Sequence, residues 1–334
     1  MHAFLCAPGF ESVLADELGG RVLVPGVVTT PAADGPRDPV YGRQVLPNAR
    51  RISGESIRGL ARDALDAVWP ALKAQMTWRL DVITSDAPAE SAPGELARRA
   101  SLLDGVLREE VRGRRTGLFK VLGDSPSSAR LQVLLTHRDQ ALVSLSAPRQ
   151  LGCGALWPSP FAAGRVPVLA DKRPPSLAYR KLTEALAWLG HAPLPGERVV
   201  DLGASPGGWS WVLLEHGALV LGVDKGAMHP SILERPGFTH ARRDGFTYEP
   251  EAPVDWLVCD IIAEPEKSAA LFERWTAARW YRRAVFHLKM RGQPERALID
   301  RAVECATRAG YTSVRCKHLA HDKNEVTLMV QGAP

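Results

Sequence analysis

The chain has 334 residues, 45% of them hydrophobic and 24% charged, with 42 Lys and Arg against 37 Asp and Glu for a net charge of +5 and a pI near 9.0. That length fits two or three domains, and a composition so near the globular average excludes a disordered tail, a collagen-like fibre and a disulfide mini-scaffold. The charge divides evenly, 19 − 17 = +2 over residues 1–150 and 23 − 20 = +3 over the remainder, so neither half is a basic arm.

In chain order, the first 50 residues read as a small mixed unit: a strand at Ala3–Cys6, a helix over Glu11–Leu18 and a strand at Arg21–Val24. Pro25, Gly26, Pro31, Gly35 and Pro36 are then expected to break regular structure. Ile57, Leu60, Ala61, Leu65, Val68 and Leu72 form an apolar stripe at helical spacing, which predicts a helix over Ser56–Leu72. A strand at Trp78–Ile83, a helix over Gly94–Gly113 and strands at Arg130–Leu135 and Ala141–Leu145 complete an α+β pattern. Arg108, Arg112, Arg114, Arg115 and Lys120 cluster here, either as a solvated helix face or as a contact for RNA phosphates.

Residues 148–175 are crowded with glycine and proline, and the main boundary is expected there, with 151–175 as a linker. Beyond it the pattern alternates: helix Ser176–Leu189, strand Arg198–Leu202, helix Gly207–Glu215, strand Ala218–Val223 and strand Trp256–Cys259. Helix Glu266–Trp280, strand Ala284–Lys289, helix Glu295–Ala309 and strands near Val314 and at Val326–Val330 follow. This order predicts a Rossmann-like, doubly wound α/β sheet over 176–334. Cys6, Cys153, Cys259, Cys305 and Cys316 include no CxxC pair and are odd in number, which argues against a zinc ribbon or a disulfide framework and for a reducing compartment. With no signal peptide and no apolar run long enough for a membrane span, a soluble cytoplasmic protein is expected.

The segment Val199-Val200-Asp201-Leu202-Gly203-Ala204-Ser205-Pro206-Gly207-Gly208-Trp209 carries the most chemistry. An apolar strand ends at Asp201, glycines let backbone approach a ligand, and the helix opened at Gly207 offers free N–H groups to an anion. Pro206 and the lack of a following Lys or Arg disfavour a pyrophosphate and hence a nicotinamide-dependent dehydrogenase, so a carboxylate is the better fit. Asp224, at the tip of the next strand, is placed to accept ribose hydroxyls, and Asp244 to accept from an exocyclic amine. Either acid alone could simply cap a helix or tie a turn. The ordered set describes S-adenosylmethionine.

Four more residues stand at element ends: Lys181 on a helix, Asp260 and Lys289 at the carboxyl ends of strands, and Glu325 just before the last strand. A solvated strand cap at Lys289 and an exposed Glu325–Lys323 pair are the alternatives. The order Lys, Asp, Lys, Glu, with the glycine loop between the first two, resembles the tetrad of the ribose 2'-O-methyltransferases related to FtsJ. The stretches DLGASPGGW, VDKGAM, RRDGF, VCD, HLK and HDKNEVT, over roughly 171–330, are similar to the bacterial branch that methylates cytidine in large-subunit (23S) ribosomal RNA. The resemblance implies methyl transfer from S-adenosylmethionine to a ribose 2'-hydroxyl without a metal, with Lys289 as proton acceptor and Asp260, Lys181 and Glu325 shaping its charge. It also implies cofactor contacts at Ser176, Gly203, Ser205, Pro206, Gly207, Gly208, Trp209, Asp224, Asp244 and Asp260. Before it, the resemblance implies a ferredoxin-like segment at 1–48 and a THUMP-like RNA-binding domain at 49–150. The chain departs at Ser205, where a cysteine is expected, and at His287, where an asparagine is expected.

A ribose hydroxyl is a poor nucleophile at neutral pH, so a base must take its proton as the oxygen attacks. Lys181 would repel a proton from Lys289, whereas Asp260 and Glu325 would hold it there. If the carboxylates win, Lys289 stays charged and acts by orienting the hydroxyl. The rivals are a 2'-O-methyltransferase for transfer RNA or another RNA, and an RNA-binding protein without turnover.

Overall fold

Apolar strands alternating with amphipathic helices sort the chain into two units, Met1–Arg165 and Val166–Pro334. The computed structural model describes residues 1–85, 94–291 and 295–332. The first unit begins β1 (His2–Leu5), α1 (Glu11–Leu18), β2 (Arg21–Val24), β3 (Val27–Thr30) and β4 (Gln44–Leu46), with sheet order β2-β3-β1-β4. The break expected after Val24 is interrupted only by β3, since residues 31–43 form no helix or strand. Pro25 and Gly26, the latter at φ +75, make the turn between β2 and β3, and β3 then pairs antiparallel with both β2 and β1.

The same unit continues with β5 (Arg50–Ser53), α2 (Ile57–Leu72), β6 (Trp78–Thr84), α3 (Glu95–Arg114), the short α4 (Thr116–Lys120), β7 (Ala129–His137) and β8 (Gln140–Ser146). These strands form a second sheet of order β5-β8-β7-β6. Ser56 caps α2 by accepting from the Gly59 N–H at 3.0 Å, and the stripe from Leu60 to Leu72 packs with Leu103, Leu107 and Val111 of α3 in one core. Residues 1–48 are not a separate segment. Ala3, Leu5, Val27 and Leu46 share a core with Ile83, Leu134 and Leu142 of the second sheet, because a sheet this small cannot bury enough apolar surface alone. Residues 151–175 are not a bare linker either, since β9 (Arg149–Gln150) pairs with β10 (Leu156–Trp157), and the division between the units falls at residue 165.

The second unit runs α5 (Tyr179–Leu189), β11 (Arg198–Leu202), α6 (Gly208–Glu215), β12 (Leu219–Val223), α7 (Pro230–Leu233), β13 (Phe238–Ala241) and β14 (Val254–Cys259). It ends with α8 (Pro265–Ala277), β15 (Tyr281–Lys289), α9 (Arg296–Arg308), β16 (Ser313–Lys317) and β17 (Glu325–Gln331). Its sheet has the order β13-β12-β11-β14-β15-β17-β16. The first five are parallel, and β17 runs antiparallel between β15 and β16. This is the expected doubly wound α/β sheet, with α7 and β13 added. The helix expected from Ser176 starts instead at Tyr179, which leaves Ser176 in the preceding turn, and Gly207 stands just outside α6. Among the described residues, no helix is long and apolar enough to cross a membrane.

Candidate active site

From β11 the chain crosses to β12 and β13 on one side and later to β14 and β15 on the other. The carboxyl ends of β11 and β14, paired at Leu202 and Cys259, therefore bound the crevice where open α/β sheets take ligands. A cavity of about 410 Å³ opens there, with Gly203, Ser205, Asp224, Asp244, Asp260 and Lys267 in its wall. Its size lies within the ordinary range for small-molecule sites.

Gly203, at φ +81, passes so near Ile261 that an added Cβ would lie 3.1 Å from that residue's backbone N. The Asp224 carboxylate accepts from the N–H groups of Ser205 at 3.1 Å and Gly226 at 2.7 Å, so it fixes the loop while facing the cavity. Asp244 accepts from the Phe246 N–H at 2.9 Å and from Lys225 Nζ at 2.6 Å. The Lys225 bond holds its carboxyl below the ordinary carboxylate range. Both acids tie turns and line the cavity at once.

Other members of the expected cofactor set lie outside that wall. Gly207 is at φ +118, and Gly208 packs directly on Ser176, whose hydroxyl is buried with no partner. Trp209 donates from Nε1 to the Ala178 carbonyl at 3.0 Å, and Pro206 follows a cis peptide bond on the exposed side of the loop. Gly208 and Trp209 thus hold the loop against the segment from Ser176 to Ala178. Asp201 lies inside β11 rather than at its end, fully buried, and accepts from Ser210 Oγ at 2.7 Å. Burial pushes its carboxyl up to about 7.

The four residues of the tetrad come together at the end of the sheet. Lys289 and Glu325 face each other in the β15–β17 register, Asp260 follows β14, and Lys181 reaches in from α5. Lys289 Nζ lies 2.5 Å from Asp260 Oδ1 and 3.9 Å from Glu325 Oε2. Lys181 Nζ hydrogen-bonds Glu325 Oε1 and lies 3.8 Å from Asp260 Oδ2. Each lysine therefore touches both carboxylates, with every side chain less than a fifth exposed. The exposed Glu325–Lys323 pair is not what forms, since Glu325 is 7% exposed and turned inward. Burial opposes the charge on Asp260, but His287, Lys289 and Lys181 outweigh it and hold the carboxyl well below its usual range. Burial likewise opposes the charges on Glu325 and Lys181, and their opposite partners again prevail, lowering the Glu325 carboxyl and raising the Lys181 ammonium.

Two further residues complete the network. His287, fully buried on β15, places Nδ1 2.9 Å from Asp260 Oδ1 and meets Trp209 edge to face at 4.8 Å. Its Nε2 faces Asp322 Oδ1 at 3.7 Å. In the sequence Asp322 lies within the HDKNEVT stretch, three residues before Glu325, with no role assigned to it. His287, Asp322 and Glu325 offer donor atoms within 4.8 Å of one another, but Glu325 is engaged by Lys181 and Lys289, and their ammonium groups would repel a cation there.

The basic cluster of the first unit is largely paired. Arg108 meets Asp104 at 2.6 Å, Arg114 meets Asp66 at 2.6 Å, Arg115 donates to the Lys73 carbonyl, and Arg112 lies over the Phe119 ring.

Comparison with known proteins matches residues 175–328 to the FtsJ-like methyltransferase family. A "Ribosomal RNA large subunit methyltransferase M" from Xanthomonas axonopodis pv. citri is 31% identical over 97% of this chain and 97% of its own. One from Halorhodospira halophila is 32% identical over 90% of this chain and 84% of its own. A third, from Laribacter hongkongensis, is 39% identical over 60% of this chain and 58% of its own.

Proposed function

The chain belongs to the ribosomal RNA large subunit methyltransferase M family, and from that premise we propose that it methylates the ribose 2'-oxygen of a cytidine in 23S ribosomal RNA. The observation that carries this reading is the closed Lys181, Asp260, Lys289, Glu325 network at the rim of the cavity beside the glycine loop. S-adenosylmethionine, when bound, supplies the electrophilic methyl group. The cavity's donor set fits it: Asp224 and Asp244 present acceptors for ribose hydroxyls and an exocyclic amine, and Gly203 leaves room that a side chain would fill. Asp260 lines the same wall and joins the cavity to the tetrad.

Lys289 is the proton acceptor. With both lysines charged the tetrad is neutral; with Lys289 deprotonated it carries one net negative charge. Taking the hydroxyl proton restores neutrality, so the buried carboxylates draw that proton to Nζ. Asp260 and Glu325 also fix the Nζ position, and Lys181 holds Glu325 in place. The unit Met1–Arg165, containing the THUMP-like region at 49–150, grips the RNA, and the protein acts in the cytoplasm.

The test is transfer of tritium from labelled S-adenosylmethionine to unmodified 23S ribosomal RNA, followed by alkaline digestion. A methylated 2'-oxygen cannot assist cleavage of its neighbouring phosphodiester, so the label should appear in an alkali-stable dinucleotide beginning with cytidine. Label on a base would refute ribose chemistry, and label only in transfer RNA would refute the target.

A further inference from the structure

His287 has a carboxylate on each side. Asp260 Oδ1 already accepts from Lys289 Nζ at 2.5 Å, and its carboxyl is ionised, so the 2.9 Å contact with His287 requires that Nδ1 carry a hydrogen. On the far side, His287 Nε2 and Asp322 Oδ1 are both buried with no hydrogen-bond partner, and they face each other at 3.7 Å. Two bare lone pairs so placed would repel, and unpaired buried polar atoms are costly. One proton on either atom turns that repulsion into an attraction across 3.7 Å. Asp322 is otherwise anchored: its Oδ2 accepts from the Leu319 N–H at 2.9 Å and from Thr327 Oγ1 at 2.9 Å. The fully buried Glu184 of α5 accepts from the N–H groups of Ala320 and His321 and meets the His321 ring at 2.7 Å, pinning that turn.

We propose that His287 and Asp322 hold one proton between Nε2 and Oδ1 and serve as a positioning pair that keeps the Asp260 carboxylate aimed at Lys289. The proposal rests on the methyltransferase reading for its consequence, though not for its geometry. Burial pushes the Asp322 carboxyl up to about 6, and the charge of His287 opposes that rise. The charged groups around the pair are Asp260 after β14, Lys289 on β15, Glu325 on β17, Lys181 and Glu184 on α5, and Asp201 on β11. With its proton the pair is net neutral, so the tetrad keeps its own balance. Without His287, burial and the neighbouring Glu325 and Glu184 favour the protonated, neutral form of Asp322, so the loss falls on the aim of Asp260 and not on the charge of the tetrad.

The test follows single-turnover methyl transfer in wild type, His287→Asn, His287→Leu and Asp322→Asn. Asn at 287 retains an N–H in the place of Nδ1, whereas Leu removes it. We expect His287→Leu to lose about tenfold in rate, His287→Asn to recover most of that loss, and Asp322→Asn to fall between them. Equal rates for wild type and His287→Leu, or a His287→Asn rate as low as that of His287→Leu, would overturn the proposal. A second readout needs neither cofactor nor RNA: the His287 ring nitrogens and the Asp322 carboxyl, followed by NMR in wild type, should change together with one shared midpoint and with Nδ1–H retained. A ring that titrates independently of Asp322, or that lacks Nδ1–H, overturns it even if the variants do not fold. If wild type methylates no ribose while ring and carboxyl titrate together, the proposed function fails and the pair stands.

Discussion

On α3, Arg108 and Arg114 reach Asp104 and Asp66 at 2.6 Å with side chains between 25% and 66% exposed. At the end of the C-terminal sheet, Lys289 reaches Asp260 at 2.5 Å with side chains 12% and 17% exposed. The charges are of the same kind, and their surroundings set what they can do. Water and salt screen the first group, so each pair is worth little and leaves its helix as a solvated face. The second group is desolvated, and removing any one member strands an uncompensated charge. That interdependence is what the proposed proton transfer requires of the buried set, whereas the arginines of the exposed set keep their protons at any working pH.

The comparison breaks if Asp260→Asn behaves like a surface change. Its removal leaves Lys181 and Lys289 sharing one carboxylate, which should cost about 3–5 kcal/mol of stability in denaturant titration and lower methyl transfer by about 10²-fold or more. Loss of less than 1 kcal/mol would mean that the network is as well screened as the pairs on α3.

Asp201 sharpens it with the opposite sign. The Asp260 carboxyl is lowered in the fold, so its stabilisation is present above the unfolded value near 3.8 and fades as pH falls. The Asp201 carboxyl is raised from 3.8 to about 7, so stability is lost as pH climbs through that interval. Asp201→Asn should therefore gain on wild type between pH 4 and pH 8, by up to a few kcal/mol, in melts across that range. A constant difference would contradict the buried, protonated Asp201.

Smaller effects are expected from the first unit. Replacing Arg112, Arg115 and Lys120 with Glu should weaken RNA binding and flatten its dependence on log salt by about 0.7 for each phosphate no longer neutralised, with cofactor affinity intact. Unchanged binding would mean that the RNA grip lies elsewhere. Smallest of all, a double-mutant cycle on Arg114 and Asp66 should give a coupling below about 1 kcal/mol.

The site was legible in the sequence where local pattern carried it. Apolar runs stop at Asp260 and Lys289, and strand ends are where this kind of sheet places chemistry. What joined those residues was not local: Lys181 meets Glu325 across 144 positions, and the β15–β17 register that puts Glu325 opposite Lys289 is a tertiary fact. Asp322 stood inside the HDKNEVT stretch, but its pairing with His287 was not legible, because an acid in a turn has no signature until a partner 35 positions earlier faces it. The packing of Gly208 on Ser176 was equally hidden, since a glycine needed against a neighbour's side chain looks like one needed by a ligand. In the fold, β3 lay hidden between the Pro25-Gly26 turn and the irregular stretch that Pro31, Gly35 and Pro36 do introduce, and β13 is a short edge strand with polar residues.

The central claim is that Lys289 takes a proton rather than merely supplying a charge. Lys289→Arg preserves the cation and removes its ability to become neutral at any working pH. Measured by single-turnover methyl transfer on 23S ribosomal RNA, with folding verified by melting, this variant should lose about 10²- to 10⁴-fold in rate. A rate within a few-fold of wild type would contradict the account and leave Lys289 as a fixed electrostatic anchor.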